Sequence, residues 1–220
     1  MSSAYTDRTV PLRQPWHAGL QPMHWRILAA SFMGWIFDGF ESFALFLVLP
    51  LMLKSLLTPE QVAAGPESWG TWASLIYTLG AVVAYLLSGF AMEAFGRRPF
   101  VLFAYAGSLL MVPVTYLWLH SPEALLASAF VNGFFTLGCA YSWMAIYPSE
   151  LFTSSVRSTA ASFIFNATRL IAWVFPILAG TMIQFFGSIP RTAVALGLIY
   201  VLGLVVPWFL PETCGKPLPD

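Results

Sequence analysis

Asp38 and Glu41 stand three residues apart inside an otherwise apolar stretch, Ile27 to Leu53. Roughly 20 residues at about 1.5 Å each cross about 30 Å of hydrocarbon, so this stretch is long enough to span a bilayer and both carboxylates lie deep within it. A charge there costs at least about 2.5 kcal/mol, and it faces a protein interior or a wet cavity with a partner. Such carboxylates can take up and release a proton or hold the polar group of a solute, or serve only as a structural contact between helices. Arg169 is a second buried charge, with Asn166 one helical turn before it, and Asn132 is a further polar residue in an apolar segment. Two short charged stretches, Glu93 to Pro99 and Pro148 to Arg157, interrupt the apolar pattern.

The depths of the charges can be compared. Arg26 and Arg157 mark one membrane surface, and Asp38 and Arg169 each follow twelve residues later, roughly 18 Å in at about 1.5 Å per residue. Pairing Asp38 with Arg169 would lower the cost of burying either and would respond to protonation of the carboxylate. Equal depth leaves azimuth open, and Asn166 and Asn132 are alternative partners.

The 220 residues are 58% hydrophobic and 9% charged, with a mean hydropathy of +0.74, against about 25% charged in ordinary soluble domains. This is the composition of a polytopic, all-α membrane protein. Ten basic and ten acidic residues cancel, and without a basic cluster nucleic acid is not an expected partner. Cys139 lies in an apolar segment and Cys214 in a polar one, and neither has a partner at metal-ligand spacing, so neither a disulfide nor a metal is expected. No nucleophile, base and orienting residue occur together, so no enzyme and no cofactor are expected.

Met1 to His24 is polar and broken by Pro11, Pro15 and Pro22, which predicts a tail. Residues 25 to 210 then hold six expected spans: Ile27 to Leu53, Trp69 to Met92, Phe100 to Leu119, Ala124 to Tyr147, Ser158 to Phe186 and Thr192 to Leu210. Ser121 and Pro122 read as the cap and first turn of the fourth, and Gly70, Gly80 and Gly89 as sites of close helix approach in the second. Residues 211 to 220 form a second tail. Placing the amino terminus inside puts Arg8, Arg13, Arg26, Arg97, Arg98, Arg157 and Lys216 on the cytoplasmic side and leaves Lys54 and Arg191 outside. That bias predicts a multi-pass protein of the cell membrane with both termini cytoplasmic.

These motifs resemble the major facilitator superfamily, in particular its bacterial sugar, sialate and aromatic-acid proton symporters. Gly89, Glu93, Gly96, Arg97 and Arg98 are similar to that family's Gly-x-x-x-Asp-Arg-x-Gly-Arg-Arg turn, with Glu93 in place of the Asp and Ala94 in place of the first Arg. Asp38-Gly39-Phe40 resembles a first-helix segment whose acidic residue is implicated in proton coupling. Pro148 to Arg157 with Glu150, and Asn166-x-x-Arg169, resemble a pattern in the second half of these carriers, and Pro211-Glu-Thr-Cys-Gly-Lys-Pro-Leu218 resembles their carboxyl terminus. The family ordinarily has twelve helices in two halves. Here the first span is similar to the start of a carrier and the remainder to a second half, which implies an internally shortened, half-size bundle needing a second six-helix unit.

The resemblance implies proton-coupled uptake of a small polar or anionic organic solute by a homodimer or heteromer embedded in the lipid bilayer, with Asp38, Glu41, Asn132, Asn166 and Arg169 handling proton or substrate. Glu150 and Arg157 are expected to make charge contacts at the cytoplasmic surface. Two other readings stay open: a non-transporting accessory subunit of a larger membrane complex, and a truncated product without function.

Overall fold

The structure is a computed structural model that describes residues 21–26, 28, 29, 32, 49, 50, 52, 53, 56–63, 65–167 and 174–219. Every regular element among them is helical. A short α1 (Pro59–Ala63) precedes α2 (Pro66–Phe95), α3 (Arg97–Trp118), α4 (Pro122–Leu151), α5 (Arg157–Ala167), α6 (Val174–Phe186) and α7 (Ile189–Phe209). α2, α3, α4 and α7 are each long and apolar enough to cross a membrane. α5 and α6 occupy the expected fifth span on either side of residues 168–173, and most of the expected first span falls outside the described residues.

Two boundaries differ from expectation. The charged stretch after the second span is a one-residue connection: α2 runs on to Phe95, Gly96 takes φ 93°, and α3 starts at Arg97. That positive φ is open to glycine at little cost, and it reverses the chain at once. The fourth span does not stop at Tyr147 either, since α4 passes through Pro148 to Leu151. A proline within a membrane helix is tolerated where neighbouring groups satisfy the freed carbonyl. Ser121 does cap α4, its hydroxyl accepting from the Ala124 N–H at 3.2 Å, with Pro122 in the first turn.

α2 and α4 cross on small residues. A Cβ added to Gly80 would lie 2.0 Å from the Phe130 carbonyl oxygen, one on Gly133 would lie 1.9 Å from that of Tyr77, and one on Gly138 would lie 2.3 Å from the Ala84 Cβ. Backbone thus packs on backbone, the arrangement that favours association in lipid, where apolar burial between helices brings no gain. Gly89 has nothing within 4 Å and takes no part in this crossing. α4 is π-helical across Gly133–Cys139, and α3 ends in a π-helical turn, Val114–Trp118, directly after Pro113.

On the other side of α4, α3 and α7 close the core. Tyr105, Trp143, Tyr147 and Tyr200 are all buried, with neighbouring ring centroids 6.0 to 6.3 Å apart, within the range of favourable aromatic pairs. Gly197 and Gly203 of α7 admit Val112 and Tyr105 of α3. The outer face of α2 presents Trp72, Leu75, Leu79, Leu86 and Phe90, an apolar stripe suited to lipid.

Candidate functional site

At one end of the bundle the helix termini are tied by charge. Gly96 sets Arg97 so that its guanidinium turns inward, where it is 5% exposed. Its Nε and Nη2 donate to the two Glu150 oxygens at 3.0 and 2.6 Å, Nη2 also to Glu93 at 2.6 Å, and Nη1 to the Met92 carbonyl at 2.9 Å. The paired contact to Glu150 is the two-pronged geometry in which guanidinium and carboxylate interact most strongly. The two acceptors differ in setting: the Glu150 side chain is 15% exposed and that of Glu93 67%.

The segment after α7 completes this end. Glu212 accepts from the backbone N–H groups of Arg97 and Arg98 at 2.9 and 3.0 Å. Those are first-turn donors of α3, which has no side-chain cap of its own, and a carboxylate placed there satisfies orphan N–H groups and opposes the helix dipole. The N–H groups of Thr213 and Cys214 also reach Glu212 at 3.0 Å. Burial pushes the Glu212 carboxyl up, but hydrogen bonds from these four backbone N–H groups outweigh it, and its pKa lies below the ordinary carboxylate value. The Thr213 hydroxyl donates to Glu150 at 2.6 Å, the Arg98 side chain to the Leu210 carbonyl, and the Tyr147 hydroxyl to the Pro211 carbonyl. Arg157, at the start of α5, donates to the carbonyls of Phe152 and Pro219 at 3.1 and 3.0 Å.

α2, α4 and α5 enclose an open cleft of about 660 Å³ lined by Tyr85, Tyr141, Ser142, Ser162, Phe165 and Asn166 among others. Ser162 and Asn166 of α5 contribute to its polar lining, and an adjoining hollow is lined by Ser158, Thr159, Ser162 and Asn166, of which Ser158, Ser162 and Asn166 recur every four residues and so share one face. All four are exposed. Asn166 donates through Nδ2 to the Ser162 carbonyl and hydroxyl at 2.8 and 3.3 Å.

Of the residues expected to handle proton or substrate, Asp38, Glu41 and Arg169 lie outside the described residues. Asn132 and Asn166 do not share a site. Asn132 is 2% exposed and borders a small cavity with Thr115, Tyr77 and Ser128, and its Oδ1 has no hydrogen-bond partner among the described residues. Glu93, Gly96, Arg97, Arg98 and Glu150 come together at the charged end, while Gly89 stands apart on open surface. Sequence reasoning missed two features. The α5 hydroxyl stripe was legible as a four-residue period of Ser and Asn, whereas nothing local to Glu212 marks its contact with the distant start of α3. Among the described residues no three His, Cys, Asp or Glu side chains are grouped to hold a metal, and Cys139 and Cys214 are both free thiols.

Four helices of span length among the described residues, in a bundle whose described elements are all helical, define a multi-pass membrane protein. The family model described as sugar (and other) transporter matches residues 9–220, and the chain belongs to that family, within the major facilitator superfamily. It is 26% identical over 153 residues to the proline/betaine transporter of Escherichia coli K12, covering 69% of this chain and 31% of that one. It is 30% identical over 191 residues to the cis,cis-muconate transport protein of Acinetobacter baylyi, covering 86% and 43%. The human organic anion transporter MFSD10 has a similar fold, with a TM-score of 0.53 at 21% identity over 88% of this chain and 49% of that one. The chain thus spans less than half the length of each of these relatives, and the family and those relatives are transporters rather than enzymes.

Proposed function

We propose that the protein is a secondary carrier of a small polar or anionic organic solute, and that the cleft between α4 and α5 is one wall of the solute path. One observation carries this reading: the exposed Ser162 and Asn166 face of α5, within the expected fifth span, lines an open cleft against α2 and α4. Polar groups left in hydrocarbon without partners cost several kcal/mol each by the usual estimate of about 2–7 kcal/mol. That face therefore meets water, a solute or a second helical unit. A second helical unit closes the cleft. Asp38 and Glu41 supply the proton-dependent charge that shifts an inward-open to outward-open equilibrium, since a carrier needs differential stabilisation of two states. Arg169 holds the polar or anionic end of the solute, and both termini face the cytoplasm.

Uptake into proteoliposomes under an imposed proton gradient tests this, with proline, glycine betaine and cis,cis-muconate as the first solutes because relatives carry those names. Asp38→Asn and Ser162→Leu are each expected to abolish gradient-driven uptake while leaving the protein monodisperse. Uptake unchanged by Ser162→Leu would remove the cleft from the path. Absence of uptake under every gradient, together with a co-purifying foreign membrane protein, would make the chain an accessory subunit.

A further inference from the structure

We infer that one buried water binds between α2, α3 and α4, held by Asn132 and Thr115. The cavity there measures about 20 Å³ and is lined by Leu49, Ala73, Tyr77, Thr115, Ser128 and Asn132 among others. A cavity admits a water once it offers roughly 10–15 Å³, so this space suits one water molecule and no organic solute.

Two of the polar groups around it are orphaned. Asn132 and Thr115 are each 2% exposed, and neither the Asn132 Oδ1 nor the Thr115 Oγ1 has a hydrogen-bond partner among the described residues. Thr115 departs from the habit of its neighbours. Ser74, Ser88, Ser108, Thr136 and Ser142 each donate to the carbonyl four residues earlier, which satisfies a hydroxyl within its own helix. Thr115 lies in the π-helical turn after Pro113 and makes no such bond. A buried polar atom left bare is costly, more so where the surroundings offer no water of their own.

The neighbouring bonds define what the ligand must offer. Thr136 spends its hydroxyl proton on the Asn132 carbonyl at 2.8 Å, so across the 3.0 Å contact with Tyr77 the tyrosine is the donor. Ser128 spends its proton on the Leu125 carbonyl at 2.9 Å. Asn132 Oδ1 and Ser128 Oγ can therefore accept, and the Thr115 hydroxyl can donate. A water that donates to the first two and accepts from the third makes about three bonds, the usual number for a buried water. A cation fits worse, because no carboxylate is among the lining residues and its charge would be buried uncompensated. The water ties α3 to α4, as the Tyr77 and Thr136 hydroxyls already tie α2 to α4.

The test turns on a sign. If the two atoms are bare, Thr115→Val keeps the shape, removes an orphan and raises the melting temperature of the full chain in detergent or leaves it unchanged. If a water bridges them, Thr115→Val and Asn132→Leu each lower it by about 2–4 °C, the shift one lost hydrogen bond brings in a chain of this size. The double variant should then lose less than the sum of the two, since both changes release the same molecule. X-ray radiolysis separates a water from a direct contact, because hydroxyl radicals born at a bound water oxidise the side chains around it. In the wild type Leu125, which is 3% exposed and lines the cavity, should be oxidised well above Val101, which is buried in α3 and does not line it. Thr115→Val should lose that signal. Should the variants fail to fold, the wild-type comparison of Leu125 with Val101 decides alone. Equal oxidation of Leu125 and Val101, a raised or unchanged melting temperature in Thr115→Val, or a wild-type melting temperature that rises with sodium chloride but not choline chloride would overturn the inference.

Discussion

Arg97 directs four of its five N–H donors at Glu150, Glu93 and the Met92 carbonyl, so each partner can be weighed by what its loss leaves behind. Truncating Glu150 strands a buried guanidinium, which costs about 3–5 kcal/mol. Truncating the largely exposed Glu93 removes a screened pair worth about 0–1 kcal/mol. Glu150→Ala should therefore lower the melting temperature in detergent far more than Glu93→Ala, and equal losses would mean that Arg97 rests on neither. Glu212 adds a pH dependence. Its pKa is depressed in the folded protein, so its contribution is fully present above the unfolded carboxylate value of about 4.3 and is lost as pH falls through the lower folded value. Glu212→Gln should cost about 1–2 kcal/mol at neutral pH. The melting difference from wild type should stay flat down to that unfolded value and shrink only below it. Paired arginines and a nearby Glu150 were legible in the residue string. The Glu212 contact was not, because 115 positions separate it from Arg97 and no local pattern marks a carboxylate as the cap of a distant helix.

At the scale of the element, the glycines divide by what they touch. Gly80 and Gly133 meet facing backbone, which cannot move aside as a side chain tip can, whereas Gly89 meets nothing within 4 Å. Gly133→Val or Gly80→Val should force α2 and α4 apart at a cost of about 1–3 kcal/mol or more, seen as a lowered melting temperature and loss of a single species in size exclusion. Gly89→Ala should be neutral or slightly stabilising, because a helical glycine costs about 0.5–1 kcal/mol relative to alanine. Composition alone could not sort them: Gly80 and Gly89 sit nine residues apart in one apolar helix, and only the partner helix decides which is buried. Helix existence was clear from apolar run length, but helix ends were not. Gly96 compresses an expected seven-residue turn to one, and Pro148 lies within α4 rather than ending it. In a bilayer neither charge nor proline obliges a helix to stop where it would in water.

For the whole molecule, the distribution of basic residues yields an expectation about orientation. Reporter fusions at Met1 and Asp220 should both read cytoplasmic, and an external signal from either would reverse the sidedness of the charged end and of the cleft. Membership of the transporter family was legible from motifs spread along the chain, each local in sequence. The cleft was less so, since it depends on how α5 is rotated against α4, and rotation is fixed by packing rather than by hydropathy.

The clamp formed by Glu212 also orders events in time. Ribosomes extend a chain at roughly 5–20 residues per second, and the carboxylate that caps α3 lies 115 positions beyond its N–H partner at Arg97. Roughly ten seconds therefore pass between synthesis of the two groups. During that interval the α2–α3 connection sits at the membrane surface with its first-turn N–H groups open to water or to an insertion factor. A later helix thus brings with it the residue that fixes an earlier pair, and assembly of this end waits on the segment after α7 rather than on the helices it holds.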